Sequence, residues 1–195
     1  MESCVDLHIH SNKSSDGTYP PCDIMDMARR RGLRAISISD HDTVAAYPEA
    51  LHCGQEKGIE VIPSMEVTTV FNDREFHLLL PFLDWDNNYV KELESQIKEN
   101  RLAEARGRVD KLMELGFPIT WDEVLEASEP FAPLGVTIAQ LVIEKGKRSE
   151  KSTLKSQGAS SNRLFDPYLF YQRYFMEGKP AWVPRRAANL MDVLE

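Results

Sequence analysis

No apolar run in this chain is long enough to cross a membrane; the strongest, near HLLLPFL, falls far short of the roughly 20 residues a spanning helix needs. The N-terminus MESCVDLHIH lacks a basic stretch followed by an apolar one, so no signal peptide is evident. Basic residues are outnumbered: 23 Lys and Arg face 31 Asp and Glu, giving a net charge of −8. That argues against non-specific nucleic-acid binding through a broad basic face. A small anionic substrate stays open, because bound cations can reverse the local sign. Cysteine is scarce. Cys4, Cys22 and Cys53 are odd in number and form no CxxC pair, which reads as reduced thiols in a cytoplasmic protein. No Walker loop, GxGxxG or Ser-His-Asp arrangement is present, so nucleophilic serine chemistry and dinucleotide redox have no foothold.

Histidine is rare too, with five in 195 residues, yet two of them sit in DLHIHSNKSSDG, one residue apart. The chain around them can bury a core, since 42% of residues are hydrophobic and 28% charged. The first third alternates strand and helix. CVDLHIH reads as a strand, YPPCDIMDMARRRG as a helix with prolines before it and Gly32 closing it. LRAISISDHD is a second strand, YPEALHCGQEKG a second helix stopped by Gly58, and IEVIPSMEVTTV a third strand. REFHLLLPFLD is a fourth, entered from a polar turn at Asn72–Asp73. Alternation of this kind predicts an α/β fold with a parallel sheet, crossover helices and a site at the carboxyl ends of the strands.

Polar residues gather at those ends. His8 and His10 close strand one, Asp40, His41 and Asp42 close strand two, Glu66 lies late in strand three and His77 in strand four. A period of two puts His8 and His10 on one face, where both imidazoles can reach one ion. A lone strand histidine is usually a hydrogen-bonded core residue, and His52, inside a helix, is read as an ordinary histidine. Four histidines with Asp16, Asp40 and Glu66 at successive strand ends are different. Carboxylates packed together repel and shift their pKa values. A cation cluster removes that cost, and imidazole with carboxylate suits zinc, manganese or iron. A structural zinc site fares worse, because such sites favour cysteine and a closed ligand set.

DLHIHSNKSSDG, ISISDHDTVAAYPEA, GIEVIPSMEV and FHLLLPFLD together resemble, in order and spacing, the motifs of the PHP domain, the polymerase and histidinol phosphatase family of metal-dependent phosphoesterases. The resemblance is to the small bacterial branch that includes 3′,5′-nucleoside bisphosphate phosphatases and exonucleases trimming RNA 5′ ends. It implies a distorted (β/α)7 barrel with two or three divalent ions (manganese, zinc or iron). By that resemblance His8, His10, Asp16, His41, Glu66 and His77 match metal ligands, with Glu66 bridging two ions. Asp40 matches a carboxylate that orients a ligand. Ser64 and Ala46 stand where the family has glycine.

After Asp84 the texture changes to helices. NNYVKELESQIKENRLAEARGRVDKLMELG is a long helical pattern with Gly116 as stop, and Thr120 with Glu123 forms a capping box for TWDEVLEAS. GVTIAQLVIEKG and DPYLFYQRY are further helices. The expected organisation is a first barrel half over 1–86, a helical insertion over 87–178 with a mobile Ser- and Lys-rich loop near 147–163, and a return toward the barrel over 179–195. In the resembled branch the insertion helps hold substrate, which makes Arg101, Arg106 and Arg108 candidates for phosphate contacts; each also fits a solvated helix face. Gly135-Val136-Thr137 stands where the branch carries Arg-Pro-His.

The leading expectation is a metal-dependent phosphoesterase acting on a small phosphorylated substrate, a nucleotide or an RNA 5′ end, through water activated by bound cations. The alternative is a weak or inactive fragment that serves as a metal-binding or partner-binding module. Only four barrel strands are visible and His77 is the last histidine, whereas the family carries three further ligands in later strands. The rest of the barrel is therefore expected to be missing or supplied by another chain, leaving an open sheet edge. The expectation is little or no phosphatase activity from residues 1–195 alone. Turnover equal to that of a chain extended through the further strands, both loaded with manganese, would contradict it.

Overall fold

The computed structural model describes residues 4–72, 74–150, 166–184, 187–189 and 193, with side chains left out at 147–150 and 189. The chain divides into two compact units, Met1–Ile97 with Ala187–Glu195, and Lys98–Arg186.

In the first unit the alternating start folds as β1 (Cys4–Ile9), α1 (Pro21–Arg30), β2 (Leu33–Ile38), α2 (Tyr47–Lys57) and β3 (Glu60–Val61). The three strands pair in parallel in the order β1-β2-β3. Proline supplies the first helical turn of α1, where a missing N–H costs nothing. Gly58, at φ +67°, ends α2 in the left-handed region that a side chain would resist. Ile24, Met25 and Ala28 of α1 join Ile36 and Ile38 of β2 and Ala50 of α2 in one core, with Val90, Leu93 and Ile97 also buried there. The outer strand β1 leaves Val5 and Leu7 exposed.

The expected third strand is two strands. After β3 the chain turns at 62–65, and β4 (Glu66–Phe71) begins a second sheet of order β5-β4-β6. β5 (Arg74–Leu79) returns antiparallel to β4, while β6 (Ala188–Asn189) lies parallel to it. The sheet is thus mixed, not purely parallel. The cause is local: a hairpin through Asn72, at φ +49°, returns the chain with no room for a crossover helix. Six strands are present among the described residues where four were expected.

A second expectation fails at the cysteines. Cys22 of α1 and Cys53 of α2 form a disulfide, with Cα atoms 5.4 Å apart, and only Cys4 is free. The packing of α1 on α2 brings the two together across 31 residues of sequence, a proximity that no sequence spacing announces. The cytoplasmic placement drawn from unpaired thiols loses that support. Among the described residues no helix is long and apolar enough to cross a membrane.

The helix α3 (Asn88–Glu114) begins in the first unit and continues in the second, which adds α4 (Trp121–Ser128), α5 (Gly135–Glu150) and α6 (Pro167–Tyr174). The capping box forms: Thr120 and Glu123 exchange side-chain and backbone bonds. Ala105, Val109 and Leu112 of α3 pack with Val124, Ile138, Val142 and Phe175 in a second core. α5 runs to Glu150, so the loop expected near 147–163 starts as helix, and its remainder lies outside the described residues.

One buried tyrosine ties the first unit together. The Tyr47 hydroxyl donates to the Ile38 carbonyl and accepts from the Ser64 N–H at 2.5 Å, with the Ser64 carbonyl 2.9 Å away. It joins the end of β2 to the turn before β4, and burial pushes its pKa well above the ordinary tyrosine value. Tyr47→Phe strands a buried N–H and a carbonyl, so it is expected to cost about 1–3 kcal/mol. A lower urea midpoint at unchanged m-value is the measurement that checks it.

Candidate metal centre

β1 ends in His8 and His10, one residue apart, and their Nε2 atoms lie 3.1 Å from each other. Both face the Glu66 carboxylate: Oε2 is 2.9 Å from His8 Nε2 and 2.8 Å from His10 Nε2. The other Glu66 oxygen, Oε1, is 3.0 Å from His77 Nδ1. On its far side His10 presents Nδ1 to both Asp16 oxygens at 2.9 Å. His41 completes the set, with Nε2 3.3 Å from Asp16 Oδ2 and Nδ1 3.8 Å from Glu66 Oε2. The imidazoles stack edgewise in a row, with ring centres 4.7 Å apart for His10 and His41 and 4.8 Å for His41 and His77.

The backbone explains why these residues meet. His41 and Glu66 form a parallel bridge. The Glu66 N–H donates to the Asp40 carbonyl at 3.1 Å, and the Asp42 N–H donates to the Glu66 carbonyl at 2.9 Å. Asp42, at φ +56°, accepts from the Thr68 N–H and hydroxyl and so locks this join. Asp16 arrives on a tight loop: a Cβ on Gly17 would sit 1.8 Å from the Ser11 carbonyl oxygen, so only glycine closes it. The Ser14 hydroxyl donates to Asp16 at 2.6 Å and accepts from the His41 N–H at 3.2 Å.

Asp40 is buried behind the histidines. Both of its oxygens accept from Ser11, one from the N–H and one from the hydroxyl, each at 2.6 Å. It therefore fixes the backbone just after His10 and does not touch an imidazole. Burial raises its pKa to about 6, against the lowering effect of the Ser11 bonds.

The electrostatics follow from mutual pairing. Burial works to lower His10, but Asp16 and Glu66 outweigh it and raise its pKa. Burial lowers His41, outweighing both carboxylates. Burial works against the charge on Asp16, but Ser14 and His10 hold its pKa down at about 2. Glu66 is likewise depressed, as His8, His41 and His10 overcome its burial.

Three overlapping donor groups result, His8-His10-Glu66, His10-Asp16-His41 and His41-Glu66-His77, each with its ligand atoms within 4.8 Å of one another. The donor set is imidazole and carboxylate, which suits zinc, manganese or iron. A further observation points the same way. His41 Nδ1 is buried and has no hydrogen-bond partner among the described residues, a costly state for a polar atom unless a cation takes its lone pair. The residues present therefore fit divalent ions.

All six residues expected as ligands come together. Arg108 is buried in the second unit, paired with Glu104 at 2.5 Å and lying over the rings of Tyr171 and Phe175. Its guanidinium is enclosed by that carboxylate and those rings. Arg106 pairs with Asp110 at 3.0 Å and lies over Trp121, and the charge of Arg101 acts on Glu104. Sequence reading passed over Ser11 and Ser14, and it placed Asp42 at a strand end without giving it a task.

The PHP domain profile matches residues 6–118. The 5′-3′ exoribonuclease of Haemophilus influenzae is 29% identical, over all of this chain and 65% of that protein. The 3′,5′-nucleoside bisphosphate phosphatase of Chromobacterium violaceum is 23% identical, over 97% of this chain and 60% of that protein. A solved structure from Bifidobacterium adolescentis, named as a metal-dependent phosphoesterase, matches at a TM-score of 0.67 and 26% identity, covering 97% of this chain and 61% of its own. The chain thus spans between 60% and 65% of the length of these relatives.

Protein purified without chelator is expected to carry zinc, manganese or iron by elemental analysis; a metal-free protein that also ignores added manganese would contradict the fit. Binding is expected to be pH-dependent in a fixed direction. The raised pKa of His10 keeps a proton on a ligand at higher pH than usual, and that proton competes with the ion. Affinity should therefore rise from about pH 5.5 to about pH 7.5, with protons released on binding. Calorimetry in buffers of different ionisation enthalpy measures that release.

Proposed function

This chain belongs to the PHP domain family, and from that premise we propose that it serves a metal-dependent phosphoesterase that hydrolyses phosphomonoesters. The carrying observation is the Glu66 carboxylate, whose two oxygens face four imidazoles. In this reading His8, His10, Asp16, His41, Glu66 and His77 hold two or three divalent ions. Such ions supply Lewis acidity toward a phosphoryl oxygen and lower the pKa of a ligated water toward neutrality.

The chain's own groups then have defined tasks. Glu66, shared by two donor groups, would help hold an ion in each. Asp16 takes the Nδ1 side of His10, leaving Nε2 of that ring for a cation. Asp40, through Ser11, holds the end of β1 in register with the end of β2. The site draws on two sheets that we assign to the first part of a distorted (β/α)7 barrel.

The substrate is a small nucleotide or a nucleic-acid end, as the names of the bisphosphate phosphatase and exoribonuclease relatives suggest. The net charge of −8 favours a local cationic centre over a basic surface as the means of holding it.

Phosphate release across a panel of nucleoside bisphosphates, sugar phosphates and 5′-phosphorylated RNA tests this, using manganese-loaded protein. The panel is run on this chain and on one extended through the further strands expected above. Turnover in the longer chain should fall in His10→Ala by more than the roughly 10–100-fold that loss of an outer partner costs. Release that is equal in the variant belongs to a contaminant and overturns the proposal.

A further inference from the structure

We propose that Glu75 is the positioning residue for His77: it holds the ring so that Nδ1 faces Glu66 and Nε2 carries the proton. The inference rests on the metal-dependent reading above and goes beyond it, because Glu75 belongs to none of the three donor groups.

Glu75 and His77 lie two residues apart on β5, so the pleat puts both side chains on one face. They stand opposite Val70 and Thr68 of β4. His77 is held from both ends: Nδ1 is 3.0 Å from Glu66 Oε1, and Nε2 is 3.0 Å from Glu75 Oε1. An ionised carboxylate only accepts, and a neutral imidazole has one N–H. With Nε2–H donating to Glu75, a neutral ring keeps its Nδ1 lone pair beside Glu66, where it would be free for a cation. The arrangement is the carboxylate–histidine–metal relay that fixes tautomer and ring orientation at many metal centres. His77 needs such a partner more than His10 and His41 do. Its side chain is 42% exposed on an outer strand, whereas those of His10 and His41 are 16% and 20% exposed.

The experiment uses zinc as the probe and reads two things: zinc affinity by competition with a chromophoric chelator, and the His77 tautomer by long-range ¹H–¹⁵N NMR. Zinc-loaded wild type should show His77 as the Nε2–H tautomer. Glu75→Ala should weaken zinc binding by about 10–100-fold and mix the tautomers. Glu75→Gln, which keeps an acceptor oxygen, should hold the tautomer and recover most of the affinity. Unchanged urea midpoints of the metal-free variants would separate this from loss of fold. Wild-type affinity and tautomer in Glu75→Ala, or Glu75→Gln no better than Glu75→Ala, would overturn the proposal. If wild type binds neither zinc nor manganese, the metal-dependent reading falls by itself. The metal-free ring then decides the positioning role: a His77 signal that ignores Glu75→Ala overturns it, and one that changes supports it.

Discussion

The Glu66 carboxylate organises the first unit. It is buried and faces imidazoles that come from the end of β1, from just past β2 and from the middle of β5. Its own backbone zips onto residues 40 and 42. A buried carboxylate is costly in isolation, so the surroundings are arranged to hold it charged, and its pKa lies below the ordinary glutamate value despite burial. Any shift of β4 against β2 would break several of these contacts together.

That dependence accounts for the polar residues packed just behind the cluster. Asp40 is fully satisfied by Ser11, Asp42 by Thr68, and Tyr47 bridges Ile38 to Ser64. The Ser39 hydroxyl donates to Ser64 at 3.1 Å, so the serine found where the family has glycine is absorbed into the same network. Satisfied buried networks rigidify their surroundings, and half-satisfied ones destabilise them. A metal centre gains from such stiffness, because ligands held in place lose little entropy when an ion arrives.

The helical unit follows a different rule. Its core is aliphatic and aromatic, and its one buried ion pair, Glu104 with Arg108 among the described residues of that core, sits against Tyr171 and Phe175. Burial raises the Glu104 pKa even with two arginines acting on it. Gly135 is needed there for space: a Cβ would lie 2.5 Å from the Tyr171 ring and 2.7 Å from an Arg108 nitrogen. Glycine at this position therefore has a packing reason within this chain.

Sequence by itself determined the α/β start, the long α3 pattern, the capping box at Thr120 and the six residues of the cluster. Periodicity, capping chemistry and histidines spaced two apart on a strand carry the elements and gather polar residues at strand ends, and the resemblance to the PHP family names the six ligands among them. Only the tertiary structure decided the rest. Splitting of the third strand and the antiparallel return of β5 depend on how β4 leaves the first sheet, which no hydrophobic pattern records. The Cys22–Cys53 pairing comes from helix packing, and the enclosure of Arg108 from a glycine and a tyrosine distant in sequence. The supporting roles of Ser11, Ser14, Asp42 and Glu75 are likewise invisible along the chain. Serine, aspartate and glutamate are common surface residues, and only the distance to one particular partner, fixed by the folded backbone, gives each of them a task.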